Sequence, residues 1–172
     1  MVRMMGPFFK WAAALLVQGL VLRDAVWFNG WFCPSLHLMG LLLLPLTLSP
    51  LFLLIIGGAT GLLLDLMTAG GGLWTSSGLV FGVSLGLVNR LLAPREGYEV
   101  GSSPVVGDQG LGWFIIRALM LLVVHDLWRF GLEAGRWGIR WQTMPMAITS
   151  ALASATIILL IHLLFSGNRR KR

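Results

Sequence analysis

The sequence predicts an all-α integral membrane protein, a compact bundle of six transmembrane helices forming one domain over residues 1–172. Three observations predict this class. Hydrophobic residues make up 56% of the chain and charged residues only 12%, about half the ~25% that is typical of soluble domains. The mean hydropathy is +0.82. The apolar runs are continuous, whereas a membrane β-barrel shows ~10-residue segments of alternating hydrophobicity.

Six apolar stretches are candidate membrane spans, each bounded by a polar, glycine-rich or proline-rich break. The first is interpreted as an uncleaved span, because no small-residue cleavage site follows it. The second begins at Pro34, a residue suited to a first helical turn, and is short enough to be tilted or partly re-entrant. The breaks Leu48–Pro50 and Ala69–Gly72 bound the third. The predicted spans are 8–22, 34–48, 51–67, 73–93, 111–133 and 141–165, with a polar loop at 94–110.

The distribution of Lys and Arg predicts the orientation of the bundle. With both termini inside, eight basic residues lie on the cytoplasmic side and four on the outer side, which favours an N-in, C-in topology with an even number of spans. The inner set is Arg3, Lys10, Arg90, Arg95, Arg169, Arg170, Lys171 and Arg172, and the outer set is Arg23, Arg129, Arg136 and Arg140. The net charge of +6 is therefore attributed to topology and to contact with lipid headgroups, not to nucleic acid.

Ionisable residues inside predicted spans are the first candidates for a functional site. Asp65 lies in a leucine-rich run of the third span. The fifth span carries His125, Asp126, Arg129 and Glu133, whose spacings of three and four place neighbours on one helical face. At ~1.5 Å per residue, Asp65 reaches the depth of this stripe. We therefore expect Asp65 to face the bundle interior and to pair with Arg129.

Three interpretations of this intramembrane polar cluster stay open from the sequence. It is an ion pair that orients helices, a proton or ion relay, or a site for a partner or small ligand. No metal and no cofactor is expected, because His125 and Asp126 should point away from each other and His37 and His162 lie on other spans. Cys33 is the single cysteine and is interpreted as a small packing residue.

Small residues predict where two helices approach closely. Gly78 begins a face with four-residue spacing on the fourth span, and the third span has a glycine-rich face of its own. These two faces are expected to contact each other through Gly57, Gly58, Gly61, Gly78, Gly82 and Gly86. Enzyme motifs such as a nucleophile elbow, HExxH or a P-loop are missing, so the chain is predicted not to be an enzyme.

Several segments resemble the rod shape-determining protein MreD family, in its Bacteroidetes-type branch. GLLLDLMTAGGGLWTSS (Gly61–Ser77) is similar to the family hallmark, and NRLLAPREGYEVGSSPVVGDQGLGWF (Asn89–Phe114) is similar to the loop of that branch. The segment from His125 to Glu133, Gln18 and the Leu44–Pro45 pair also fit. That branch often has two adjacent histidines where this chain has His125 and Asp126.

The resemblance implies a non-enzymatic scaffold subunit of the bacterial cell-elongation machinery, which helps to control peptidoglycan synthesis and rod shape. Its implied partners are the single-span protein MreC, RodA and penicillin-binding protein 2, and MreB filaments on the cytoplasmic side. The implied fold is similar to the substrate-binding subunit of energy-coupling-factor transporters, so a vitamin-type transporter subunit is the alternative function.

The predicted cytoplasmic loop is the largest surface outside the membrane and the candidate for contact with a partner. Its candidate contact residues are Pro94, Arg95, Glu96, Gly97 and Tyr98. A solvated connector is the other interpretation of this loop. The basic tail NRRKR is interpreted as a topology signal and an anchor to headgroups of membrane lipids.

Overall fold

The structure is a computed structural model that describes residues 9, 11–22, 33–99, 102–134 and 143–166, and every regular element in these ranges is a helix. The helices follow in chain order. They are α1 (Trp11–Val21, with a π-helical last turn at Val17–Val21), α2 (Leu38–Leu42), α3 (Pro50–Thr68), α4 (Leu73–Leu91), α5 (Val106–Gln109), α6 (Leu111–Glu133) and α7 (Thr143–Ser166).

Three of these helices, α3, α6 and α7, are long and apolar enough to cross a membrane. This finding supports the predicted class of helical membrane protein. The count of six spans and the N-in, C-in orientation stay predictions. Many of the basic residues behind that orientation, at 3, 10, 23, 136, 140 and 169–172, lie outside the described residues.

The limits of three predicted spans agree closely with helices of the structure. Helix α6 covers 111–133 as predicted, and α3 and α4 begin and end within about two residues of the predicted 51–67 and 73–93. Helix α7 is described over Thr143–Ser166, and residues 141–142 of the predicted 141–165 lie outside the described residues. Helix α1 is described over Trp11–Val21, within the predicted 8–22, and residues 8 and 10 lie outside the described residues.

The predicted span 34–48 is wrong as a continuous helix. Its helical part is α2, five residues that extend only ~7.5 Å at 1.5 Å per residue, against a hydrocarbon core of ~30 Å. Pro34 precedes this helix instead of starting it, because helical structure begins at Leu38. The segment enters the bundle as irregular chain, and every residue of α2 is buried.

Helices α3 and α4 form an antiparallel hairpin through a tight connection. Helix α3 begins at Pro50, and the side chain of Ser49 caps its first turn. It ends at Thr68 and is followed by the C-cap Ala69, whose φ of +53° is left-handed. Gly71 and Gly72 come next with φ of +61° and +91°. Glycine adopts such angles without the steric cost that a side chain brings, so the chain reverses direction within a few residues.

Helix α6 contacts both α4 and α7 and carries the apolar core of the bundle. The short helix α2 fills the same core from the side. Fully buried core side chains include Leu38, Leu42, Phe81, Leu85, Leu121, Leu122 and Ile158. The polar residues discussed below lie at the two ends of this apolar centre.

Candidate functional site

Asp65 caps the neighbouring helix α4. It is only 8% exposed, as predicted for a residue facing the interior. Its Oδ1 accepts a hydrogen bond from the Trp74 backbone N–H at 3.1 Å, and its Oδ2 accepts from the Thr75 backbone N–H at 2.8 Å and from the Thr75 hydroxyl. The first turn of a helix has backbone N–H groups without partners inside the helix. The N-cap Gly72 offers no side chain, and the Asp65 carboxylate takes its place and opposes the positive end of the helix dipole.

The predicted contact between the glycine faces of α3 and α4 is confirmed. At Gly57 and Gly78 a β-carbon would collide with the carbonyl oxygen of the other glycine, so the two backbones touch there. Gly61 and Gly82 also lie against backbone of the opposite helix. The two remaining glycines differ, because Gly58 faces a leucine side chain and Gly86 has room for a β-carbon.

The predicted ion pair between Asp65 and Arg129 is wrong. The Nη2 of Arg129 donates to Cys33 Sγ at 3.1 Å and to Glu133 Oε1 at 3.3 Å. Its guanidinium carbon lies 4.3 Å from the centre of the Trp74 ring. The charged stripe of α6 and the Asp65 cap therefore meet at the same tryptophan, through its ring and its backbone, without an ion pair between them.

Three polar side chains form a buried hydrogen-bonded row between α6 and the irregular segment before α2. Asp126 Oδ1 lies 2.9 Å from His125 Nδ1 and accepts from the Ser35 hydroxyl at 3.2 Å. All three residues are 0% exposed. The expectation that His125 and Asp126 point away from each other is wrong, because adjacent side chains on one helix can bend toward each other. Asp126 is the central acceptor of this row.

His37 joins the row through its ring. Its centroid lies 5.3 Å from that of Trp74 and 5.5 Å from that of His125, in edge-on contacts. The His37 ring therefore packs between Trp74 and the hydrogen-bonded row. Among the described residues, no group of three His, Cys, Asp or Glu side chains is placed to hold a metal ion.

Several buried polar atoms of this cluster have no hydrogen-bond partner within the described part of the chain. An unpaired buried donor or acceptor costs ~1–3 kcal/mol. Such atoms are concentrated here, next to the hydrogen-bonded row. This end of the bundle therefore combines polar side chains with tight packing. The atoms are His37 Nδ1, His125 Nε2, Asp126 Oδ2, Arg129 Nε and Arg129 Nη1.

Side chains from distant helices bind the backbone of the irregular segment 33–36. Ser150 Oγ accepts from the Cys33 N–H at 3.1 Å and Ser154 Oγ accepts from the Ser35 N–H at 2.9 Å, both from α7. Gln18 Oε1, in the π-helical turn of α1, accepts from the N–H of residue 36 at 2.8 Å. Buried backbone outside a helix is tolerated at membrane depth only where such partners exist.

A second polar centre surrounds Arg117, at the opposite end of α6 from Arg129. Arg117 lies in the predicted fifth span and is only 1% exposed. Its Nε donates to Asn89 Oδ1 at 2.8 Å and its Nη1 to the Leu42 carbonyl at 2.7 Å. The second bond places a cation at the C-terminal end of α2, where helix carbonyls lack partners. No carboxylate of the described residues pairs with it.

The predicted partner-contact loop is exposed over Pro94, Arg95, Glu96 and Gly97. Tyr98 instead turns inward, and its ring contacts the Trp113 ring edge-on at 6.3 Å. Burial raises the pKa of the Tyr98 phenol, so this group stays neutral and can donate a hydrogen bond at neutral pH. Four of the five predicted residues thus form a free surface.

The comparisons with known proteins give no further identification. No protein-family model matches the chain. No curated protein matches it. No solved structure matches its fold.

Sequence reasoning missed the residues that surround the predicted cluster. Ser35, Cys33 and His37 precede α2, and their polarity inside an apolar run was the available signal for an irregular buried segment. Arg117 and Asn89 each carry a polar side chain within a predicted span, a signal for a second buried site. Neither signal identifies the helix of this chain that supplies the hydrogen-bond partner.

Proposed function

We propose that the chain is a non-enzymatic membrane scaffold of the bacterial inner membrane, a subunit of the cell-elongation machinery that binds a single-span partner of the MreC type. The observation that carries this proposal is the Asp65 cap. It lies in the segment that resembles the MreD hallmark, and its chemistry is structural, since both carboxylate oxygens bind the next helix. The acid fixes a hairpin instead of meeting a substrate.

The arrangement of the Ser35–Asp126–His125 row supports a non-enzymatic role. In a nucleophilic site the histidine accepts the proton of the serine hydroxyl, and the acid orients the histidine. Here the acid lies between the other two groups, so the Ser35 hydroxyl donates to Asp126 and not to the imidazole. The serine is 0% exposed, so its hydroxyl is not presented to a substrate.

The outer face of α3 supports a role in helix-to-helix binding. Its large apolar side chains Leu51, Ile55, Leu62 and Leu66 are 51–75% exposed, while the glycine face of the same helix is covered by α4. Such a surface faces lipid or the transmembrane helix of a partner. Because the described part of the chain has little mass outside its helices, helix faces and the loop 94–97 are the described surfaces that a partner could contact.

The alternative, a substrate-binding transporter subunit, has less support. Two cavities in the described part of the chain have volumes of about 230 and 200 Å³. Pockets for drug-sized ligands usually have volumes of ~300–1,000 Å³. The smaller cavity, between α6 and α7, is lined almost entirely by apolar side chains.

Site-specific photocrosslinking in native membranes tests the proposal. A photoreactive residue at Leu62 of α3 should crosslink to a single-span membrane protein, identified by mass spectrometry after purification in mild detergent. The same residue at Leu160 of α7, which is equally exposed at 55% against 51%, is the matched control and should crosslink to lipid. Recovery of an ATPase pair with a coupling membrane subunit would overturn the scaffold proposal in favour of the transporter.

A further inference from the structure

A notch lies at the open end of the α3–α4 hairpin, opposite the Ala69–Gly72 turn. The start of α3, the end of α4 and the loop around Tyr98 form its walls, and its volume is about 230 Å³. Because α3 is long and apolar enough to cross a membrane, its first turn lies near one membrane–water interface. The notch is therefore at the level of lipid headgroups.

The lining of the notch is divided into an apolar part and a cationic part. Leu48, Pro50 and Leu53 form the apolar wall, while Asn89 and Arg90 of α4 form the polar one. Arg90 is exposed, and its side chain makes no hydrogen bond or ion pair with the described residues. The described lining contains no carboxylate, so its charge suits an anion and not a metal cation.

Asn89 presents a donor toward the notch for a geometric reason. Its Oδ1 accepts from Arg117 Nε at 2.8 Å, and this bond fixes which end of the amide faces inward. The amide nitrogen, which donates no hydrogen bond within the described residues, is left for the notch. The side chain is 4% exposed, so this donor is held in place.

Arg117 adds a buried positive charge directly behind this wall. Its partners are a neutral amide and a neutral carbonyl, its Nη2 has no hydrogen-bond partner within the described part of the chain, and its guanidinium carbon lies 5.4 Å from the centre of the Trp113 ring. A buried charge without a counter-charge is costly. An anion bound in front of Asn89 would offset part of that cost.

From this arrangement we propose that the notch binds the phosphate of an anionic phospholipid, with Arg90 and the Asn89 amide as its ligands and Arg117 as the charge behind them. The apolar wall of leucine and proline receives the glycerol and upper acyl part of the lipid. The volume suits a headgroup and excludes a larger cofactor. The proposal needs only the placement of the chain in a membrane and not the scaffold function, so each can fail without the other.

Lipid titration of the purified full-length protein tests the site. Phosphatidylglycerol would be added to the protein in mild detergent at constant ionic strength and bound lipid counted by native mass spectrometry. The comparison is phosphatidylcholine, a zwitterionic lipid whose phosphate is balanced by its quaternary ammonium. Arg90→Gln should weaken phosphatidylglycerol binding about tenfold, the effect of losing one charge-assisted hydrogen bond. Arg95→Gln is the matched control, because Arg95 is an exposed arginine nearby that does not line the notch. It should change binding by less than about twofold, since exposed charges are screened.

A second variant separates binding from folding. Asn89→Asp keeps the shape and gives Arg117 a carboxylate partner, so the fold should hold while the negative charge in the notch abolishes phosphatidylglycerol binding. Equal weakening by the Arg90 and Arg95 variants would overturn the site in favour of diffuse electrostatics, as would equal affinity for phosphatidylcholine. Full displacement of the lipid by inorganic phosphate would show a site for a free anion and overturn the lipid assignment.

Discussion

Replacing Asp65 by asparagine tests whether the carboxylate holds the α3–α4 hairpin by capping. The amide oxygen of Asp65→Asn still accepts from the Trp74 N–H, but its NH₂ group faces the Thr75 N–H, which is also a donor. One charge-assisted bond, ~1.5–3 kcal/mol, is lost, and the remaining bond weakens by ~1 kcal/mol because its acceptor is neutral. We expect the free energy of unfolding to fall by ~3 kcal/mol, above the ~0.5–2 kcal/mol of exposed caps, because Asp65 is buried.

The assay is equilibrium unfolding in mixed detergent micelles, followed by the fluorescence of the eight tryptophans. Glu96→Gln is the control, since it makes the same acid-to-amide change at an exposed loop position and should shift stability by less than ~0.5 kcal/mol. Thr75→Val removes only the hydroxyl and should cost ~1 kcal/mol. The Asp65→Asn, Thr75→Val double variant should lose at least ~0.5 kcal/mol less than the sum. Strict additivity, or an Asp65→Asn variant as stable as Glu96→Gln, would refute the capping argument.

Three further predictions use other contacts. Gly78→Ala should destabilise the protein by more than ~2 kcal/mol in the same unfolding assay, because its β-carbon meets the backbone of α3. Gly131→Ala, with nothing near its β-carbon, should be neutral or stabilising by up to ~1 kcal/mol, and equal effects of the two variants would contradict the close approach. Arg117→Ala should cost ~3 kcal/mol, since the Leu42 carbonyl loses its charged donor; a neutral result by unfolding would show that water replaces it. Cys33, 6% exposed, should resist a membrane-permeant maleimide until the protein is unfolded; rapid labelling of the native protein would contradict its burial.

The sequence was sufficient to predict the fold class and a helix where one physical signal acts alone. Composition indicated the helical membrane class, and the mainly apolar stretch 111–133, bounded by glycine and polar residues, indicated the limits of α6, which starts after Gly110 with a φ of +87°. The prediction of a helical span over 34–48 failed because an apolar run indicates burial but does not determine the backbone conformation. Its backbone partners, Ser150 and Ser154, are more than 110 residues away in the chain, and hydropathy holds no information about them.

The hydrogen-bond partners of Asp65 show a second limit of prediction from the sequence. Counting the rise per residue placed Asp65 level with Arg129, and both do contact Trp74. Depth alone could not decide between a cation on another helix and the free N–H groups of the next turn. The deciding feature was local, because Gly72 leaves the start of α4 without a side-chain cap, and an acid seven residues earlier on a tight hairpin can reach it.

The hydrogen bonds from the segment 33–36 to α7 also constrain the order in which the protein folds during its synthesis. Ser35 donates its N–H to Ser154, 119 residues later. At ~5–20 residues per second, a ribosome needs roughly 6–24 s to synthesise that interval. Throughout this time the amides of Cys33 and Ser35 lack their final acceptors, and exposure in hydrocarbon would be costly. This segment must therefore remain in water, headgroups or the insertion machinery until α7 has been synthesised, and only then does it enter the bundle.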